Sequence, residues 1–325
     1  MISLANAYYT VKPLIPRRLQ LLARQKYVLR QRQLHSGAWP IDETAGSPPP
    51  GWQGWPENKQ FAIILTHDVE TASGQEKCID LMTLEETFGF RSSFNFVPER
   101  YDVSEELRNE LVQRDFEVGV HGLKHDGKLY KSKEIFLERA AKINRYLEEW
   151  QSAGFRSPAM HHNLDWIHNL NVEYDASTFD TDPFEPQSDG AATIFPFFVG
   201  KNSNGKGYVE LPYTLVQDFS LFILMRETSI DIWKRKLDWI AEQGGMALLN
   251  VHPDYMKFGE GKLGLEEYPA RFYAEFLEYV KSKYEGQYWH GLPKTVARFW
   301  SNSVKQEPVE QTFEMFETFQ KLSNV

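Results

Sequence analysis

The chain has 325 residues, 42% of them hydrophobic and 14% aromatic, enough for one large globular body with appendages and too apolar for extended disorder. Its net charge of −9 is unevenly spread: residues 1–41 carry seven Lys/Arg and no acid, while the rest carries 29 Lys/Arg against 45 Asp/Glu, a net −16. An acidic body argues against nucleic acid as partner, the single Cys78 rules out an internal disulfide framework, and no run of about 18 apolar residues supplies a membrane-spanning helix.

The basic arm, residues 1–35, contains Pro16-Arg17-Arg18-Leu19-Gln20-Leu21-Leu22-Ala23-Arg24. It reads as a helix that either lies on an anionic lipid surface, giving peripheral membrane association, or folds against the acidic body or a neighbouring subunit. No apolar stretch with a small-residue cleavage site follows these cations, so signal-peptide export is not expected and a cytoplasmic location is. Residues 36–60 read as an extended connector, because Ser47-Pro48-Pro49-Pro50-Gly51 and Trp52-Gln53-Gly54-Trp55-Pro56 resist regular structure, and the tryptophans tie it to the body.

From Phe61 strands and helices alternate through a domain expected to span 61–300. The apolar run Phe61–Leu65 is a strand; Ser73 with Glu76 forms a capping box for a helix reaching about Gly89. A strand over Arg91–Val97, a helix over Ser104–Asp115 and a strand ending at Val120 follow. Phe136, Ala140, Ile143, Leu147 and Trp150 then mark one face of a helix that ends at Gly154. Further strands are expected at Gly154–Met160, Val172–Phe179, Ile194–Val199, Tyr208–Leu215 and Met246–Val251, with a hairpin turn over Asn202–Gly207. A helix capped by Thr228 or Ser229 stops at Gly244-Gly245, another covers Glu266–Tyr284, and the polar residues 301–325 form a tail. This alternation predicts an α/β fold, a mostly parallel sheet closed into a distorted (β/α) barrel of about seven strands.

Chemistry-bearing residues gather where the apolar runs stop. His121-Gly-Leu-Lys-His125 places two imidazoles four residues apart; read as one helical turn, that spacing brings them within reach of one ion. Thr66-His67-Asp68-Val69-Glu70 ends the first strand with two acids, which reach one cavity if the chain turns there. Arg156 ends a third strand and offers a fork of donors able to clamp a carboxylate, and His252 ends the last. Each residue alone has an ordinary structural explanation, from helix cap to surface ion pair to core histidine. Four or five of them at carboxyl ends of strands point to a hydrolytic metal centre.

The order of an Asp-bearing strand end, His-x-x-x-His, Arg-x-Pro, an aspartate-rich segment and Leu-x-x-His resembles the polysaccharide deacetylases, carbohydrate esterase family four, from about Phe61 to His252. The resemblance implies a polysaccharide-deacetylase-like barrel, one divalent metal ion, usually zinc, and hydrolysis of an N-acyl group on an amino sugar. Carried across by motif, Asp68 matches the catalytic base, His121 and His125 the metal ligands, and Arg156 the residue that holds the base. His252 matches the acid for the leaving amine, and Asp175 or Asp180 the carboxylate that orients it. The family's two adjacent acids are separated here by Val69, like a variant of that family, which makes Glu70 the third ligand. His67 replaces a usual aromatic, and His161 and His162 lie outside the common pattern; they either line the cleft or replace a ligand.

The expectation is therefore a metal-dependent hydrolase that removes acetyl or formyl from an amino sugar or glycan, in a precursor of a surface polysaccharide. A hydrolase of a small non-sugar amide and a catalytically inactive carbohydrate-binding protein are the rivals.

Overall fold

The computed structural model describes residues 16–200 and 207–303; the turn expected at 202–206, most of the tail 301–325 and the first fifteen residues of the arm lie outside the described residues. In chain order the elements are α1 (Arg17–Leu34), β1 (Phe61–Val69), α2 (Ala72–Glu76), α3 (Cys78–Phe88), β2 (Ser93–Phe96), α4 (Glu105–Gln113) and β3 (Glu117–His121). Then come α5 (Lys133–Glu149), β4 (Gly154–Arg156), α6 (Leu164–Ile167), β5 (Tyr174–Asp175), β6 (Phe197–Val199), β7 (Tyr208–Glu210) and a π-helical turn at Phe219–Leu224. The chain ends in α7 (Asp231–Gln243), β8 (Met246–Val251), β9 (Met256–Lys257), β10 (Tyr268–Pro269), α8 (Arg271–Tyr284), β11 (Tyr288–His290) and α9 (Pro293–Ser303).

Nine strands form one sheet, parallel except for the β6–β7 pair. β1 is its hub: it pairs with β8 along one edge and with β11 and then β2 along the other, and the order continues β3, β4, β5, β7, β6. All nine residues of β1 are buried. A strand covered on both faces has no solvent side, which is why Phe61–Leu65 is uninterruptedly apolar. Past β7 the chain returns to β8, where Thr214 and Leu215 donate their amides to Leu248 O, curling the sheet into the distorted barrel expected from the alternation.

The helices pack on the outside. α5 buries Phe136, Ala140, Ile143 and Leu147, the face legible in the sequence, and each large side chain contributes about 1.5–3 kcal/mol. The connector is fixed by its tryptophans: Trp55 is buried, donates Nε1–H to Gly244 O at 2.8 Å and lies among Trp52, Trp289 and Trp300. α1 docks on the π-helical turn through Leu21, Gln25 and Val28, with Gln25 donating to Ile223 O and with ion pairs Arg17–Glu266 and Arg32–Glu227. No helix among the described residues is long and apolar enough to cross a membrane.

Several local expectations are corrected. The helix after β1 is capped by Thr71, whose hydroxyl accepts from Gly74 N, and not by a Ser73–Glu76 box; it is also broken at Lys77 into α2 and α3. α5 ends before Gln151, and Gly154 opens β4. α8 begins at Arg271 because Tyr268-Pro269 pairs with Met256-Lys257. α9, with Val296, Ala297 and Trp300 buried, was not expected as a separate helix. His67 is also explained. β1 alternation turns it outward from the barrel, where Nε2 lies 2.8 Å from Glu85 Oε1 of α3. Glu85 further accepts from Ser92 Oγ and from Tyr273 of α8. His67 thus joins the sheet to two helices.

Glu117 couples β3 to two other elements, accepting from Tyr174 OH at 2.9 Å and from Lys294 N at 3.1 Å. Burial pushes its carboxyl up to about 7 from an ordinary 4.5, against those two donors. The folded state therefore holds a proton that the unfolded chain releases between those values, so this group's contribution is full below pH 4.5 and declines until about pH 7. Glu117→Gln should remove that part of the slope, up to about 3 kcal/mol, from urea-unfolding stability measured across the window. Identical slopes for wild type and variant would show that Glu117 does not titrate differently on folding.

Candidate active site

The strands converge their carboxyl ends on one buried carboxylate. Asp68, the penultimate residue of β1, is 2% exposed. Its partners come from the neighbouring strands in register: Asn95 of β2, directly opposite, donates to Oδ1 at 3.0 Å, and Asn250 of β8 donates to Oδ2 at 2.9 Å. Three basic side chains stand just outside hydrogen-bond range, with His121 Nδ1 and Arg156 Nη1 each 3.8 Å and His252 Nε2 4.0 Å away. Burial alone would favour the protonated acid, but these basic neighbours and the Asn95 amide hold the carboxyl down to about 2, so Asp68 is ionised.

Neither amide was singled out from the sequence, although both sit at strand ends beside residues that were. Gly119 explains how Asn95 fits. A Cβ there would fall 2.0 Å from Asn95 Oδ1, so only the bare backbone of β3 lets the amide lie across it toward Asp68.

Glu70, His121 and His125 come together: one ligand atom from each lies within 4.8 Å of the others. The pair is not on a helical turn, as the spacing first implies. His121 is the last residue of β3, Gly122 turns left-handed at φ +63°, and His125 at φ +52° swings its ring back to 5.2 Å from that of His121. The turn needs glycine twice over, since a Cβ at Gly122 would also strike Pro158 Cγ at 2.5 Å. Beyond it, Asp126 is held by both guanidinium nitrogens of Arg139, at 2.7 and 2.8 Å, which pins the loop carrying His125.

The donor atoms suit a divalent cation. His121 Nδ1 lies 3.1 Å from Arg156 O and can only donate to that carbonyl, which leaves the lone pair on Nε2; Nε2 is buried and has no hydrogen-bond partner. His125 Nε2 is likewise buried without one, although Glu70 Oε1 is 3.0 Å away, so these atoms face a common point and do not satisfy each other. Burial holds the His121 imidazole down to about 4, hence neutral. Burial opposes ionisation of Glu70, but the facing His125 keeps its carboxyl well below the ordinary value. Tyr255 OH donates to Glu70 Oε2 at 3.1 Å, and Asp254 accepts from Glu70 N at 2.9 Å, fixing the acid where the chain leaves β1.

Arg156 lies beside Asp68 but does not clamp it. Its Nε donates to Ala176 O at 2.8 Å and Nη1 to Thr66 Oγ1 at 2.9 Å, so the fork is divided between a neighbouring strand and β1. It acts on Asp68 as a fixed charge.

His252 carries the main correction. The carboxylate that holds it is Asp218, whose Oδ1 is 2.7 Å from His252 Nδ1 and whose Oδ2 accepts from His252 N at 2.8 Å and from Tyr268 OH at 3.0 Å. Asp175 instead faces Glu210 across the β5–β7 ladder and accepts from Ser177 Oγ, and Asp180 is paired with Lys236. Asp218 opens the π-helical turn, three residues past the expected strand Tyr208–Leu215; the signal was the same strand-end position that marked the other site residues. Burial alone would lower the His252 pKa, yet Asp218, with Glu70 and Asp68, raises it to about 10. The imidazole is cationic. His161 and His162 do not join the Glu70–His121–His125 cluster; His162 is held by Met160 O and lies 3.7 Å from Asp189.

The sequence matches no family profile and no curated protein. Solved structures are more informative. The fold is similar to that of a Mycobacterium smegmatis protein assigned as a polysaccharide deacetylase, with a TM-score of 0.61 at 16% identity over 82% of this chain and 99% of the other. PuuE allantoinase gives 0.61 at 17% identity over the same shares, and a Pseudomonas aeruginosa PAO1 protein assigned as a polysaccharide deacetylase gives 0.59 at 15% over 79% and 96%. At such identities the likeness defines the fold: this is the barrel of the polysaccharide deacetylases.

Asp218→Asn keeps the shape and removes the charge beside His252. The His252 titration, followed by NMR in protein stripped of metal, should then fall from about 10 toward 6.5 by about one unit or more. An unchanged titration would deny Asp218 its influence.

Proposed function

We propose that this protein is a metal-dependent hydrolase that removes an N-acyl group, acetyl or formyl, from an amino sugar in a surface-polysaccharide precursor. The observation that carries the reading is a three-residue cation site at the mouth of a deacetylase-type barrel, beside an ionised Asp68 and a cationic His252 that are 4.0 Å apart. Residues 61–300 would form the catalytic domain. Glu70, His121 and His125 would hold one divalent ion, and two imidazoles with one carboxylate favour zinc. A cation held there supplies Lewis acidity toward the acyl carbonyl and makes water easier to deprotonate.

The remaining steps belong to the chain. Asp68, kept ionised by its two amides and three basic neighbours, takes a proton from the water whose oxygen bonds to the acyl carbon. His252 delivers the proton from Nε2 to the amide nitrogen as the carbon–nitrogen bond breaks, releasing the carboxylic acid and the free amine. Asp218 anchors the opposite nitrogen, so His252 enters the reaction charged and aimed. A binding protein has no use for this acid–base pair, which weighs against an inactive scaffold.

The arm supports a location. The docked helix α1 leaves Leu19, Leu22, Tyr27, Leu29 and Leu34 at least 44% exposed, interspersed with Arg18, Lys26 and Arg30 and no acid. That surface suits the cytoplasmic face of an anionic membrane, where lipid-linked precursors are handled. Leu22→Glu combined with Leu29→Glu should abolish co-sedimentation with vesicles containing phosphatidylglycerol; persistence of binding would detach the arm from this role.

Asp68→Asn and His252→Ala should each lose about 10²–10⁴-fold of acyl release while elemental analysis still finds bound metal. His121→Ala and His125→Ala should lose the metal itself. A His121→Ala protein with wild-type metal content would refute the cation site. Hydrolysis of allantoin without acetate or formate release would instead favour a small-amide hydrolase, the activity named for the PuuE neighbour.

A further inference from the structure

α1 brings a cation, Arg24, next to Phe219 at the edge of the site, and no acid among the described residues forms an ion pair with it. Phe219, next to Asp218, packs on Tyr255 with ring centroids 4.8 Å apart; Tyr255 in turn lies 5.1 Å from the His252 ring and donates to Glu70. Over the outer side of Phe219 stands the Arg24 guanidinium, 5.1 Å from the ring centroid. Arg17, seven residues earlier and so on the same helix face, is committed to Glu266. Arg24 is different: it is exposed and makes no hydrogen bond or ion pair among the described residues. The aromatic face holds it in place, which lowers the entropy lost when it meets a ligand.

A buried polar network lies behind the site. Asn250, which holds Asp68, also reaches Gln217 Oε1 at 3.3 Å, and Gln217 donates to Glu185 Oε1 at 2.8 Å; Tyr213 OH reaches both Glu185 and Asp182. Arg24 and His252 both act on Glu185, after its burial and Asp182. Burial beside Asp182 pushes its carboxyl up to about 8, so at neutral pH it is largely protonated and leaves the Arg24 charge uncancelled. Hydrogen bonds and ring contacts thus link the reacting centre, through Asn250 and Gln217 on one path and Tyr255 and Phe219 on the other, to the neighbourhood of the Arg24 charge.

We propose that Arg24 is a specificity-determining residue that receives an anionic substituent, a phosphate ester or a carboxylate, carried by the amino sugar itself. The ring contacts assign it to the sugar: Arg24 reaches the site through Phe219 and Tyr255, and the Tyr255 ring lies against His252, which serves the departing amine. The substrate class is then an anionic N-acyl amino sugar. This inference rests on the hydrolase reading above, but its binding arm does not require turnover.

The experiment uses the full-length, zinc-loaded protein and three probes: N-acetylglucosamine, its 1-phosphate and its uronic acid. Calorimetric affinity and acetate release are measured for wild type, Arg24→Gln and Arg24→Lys. Wild type should favour at least one anionic probe over the neutral sugar by about tenfold or more in Kd and KM, a gain that shrinks with added salt. Arg24→Gln should erase that preference while leaving kcat and the neutral sugar's KM unchanged, and Arg24→Lys should restore part of it. Which anion gains distinguishes phosphate from carboxylate. Equal affinity of wild type for all three probes, or a preference that survives Arg24→Gln, overturns the proposal. Anion-selective binding that depends on Arg24 without acetate release supports it and sinks the hydrolase reading alone.

Discussion

Everything at this site depends on keeping one carboxylate ionised where there is almost no water. Removing a charge from solvent costs several kcal/mol unless donors and counter-charges replace the lost hydration. Asp68 receives one amide from each flanking strand and three basic groups at about 4 Å. Most of the surrounding sequence is arranged to make that possible. Asn95 and Asn250 occupy strand positions where an apolar residue would otherwise serve the core, Gly119 gives up its side chain to admit Asn95, and Thr66 divides the Arg156 fork so that the guanidinium stays near without closing on the acid.

The contrast between Asp68 and His252 has the same origin. Both are buried, and burial alone would neutralise both. They stay charged because the chain supplies each with partners of opposite character, amides and cations for the acid, Asp218 for the base. Opposite partners thus hold the Asp68 carboxyl near 2 and the His252 imidazole near 10, although the two lie 4.0 Å apart.

The alternation of strands and helices, and the strand ends that carry Asp68, His121, Arg156 and His252, were legible because parallel strands buried on both faces produce unbroken apolar runs with polar residues where they stop. What the sequence hid were partnerships between distant segments. Asp218 could not be told from Asp175 or Asp180, since the choice depends on a π-helical turn folding back beneath His252 and on Glu210 occupying Asp175. The four-residue spacing of His121 and His125 suggested a helix, whereas two left-handed residues, Gly122 and His125, bring the rings together in a loop. The arm, read as either a lipid-facing or a body-facing helix, lies on the body: Leu21 and Val28 are buried there, while Leu22 and Leu29 stay exposed.

The pairing of β1 with β8 has a consequence for how the protein becomes competent during synthesis. Glu70, His121 and His125 are synthesised well before Asn250, 182 residues after Asp68 in the chain, and His252. A nascent chain that stops short of β8 holds Glu70, His121 and His125 yet lacks one edge of its central strand, one amide on Asp68 and the His252 imidazole. Contacts so remote along the polypeptide are costly to close, so the surroundings of Asp68 are complete only once the barrel is closed, and a product truncated before β8 would leave that carboxylate without them.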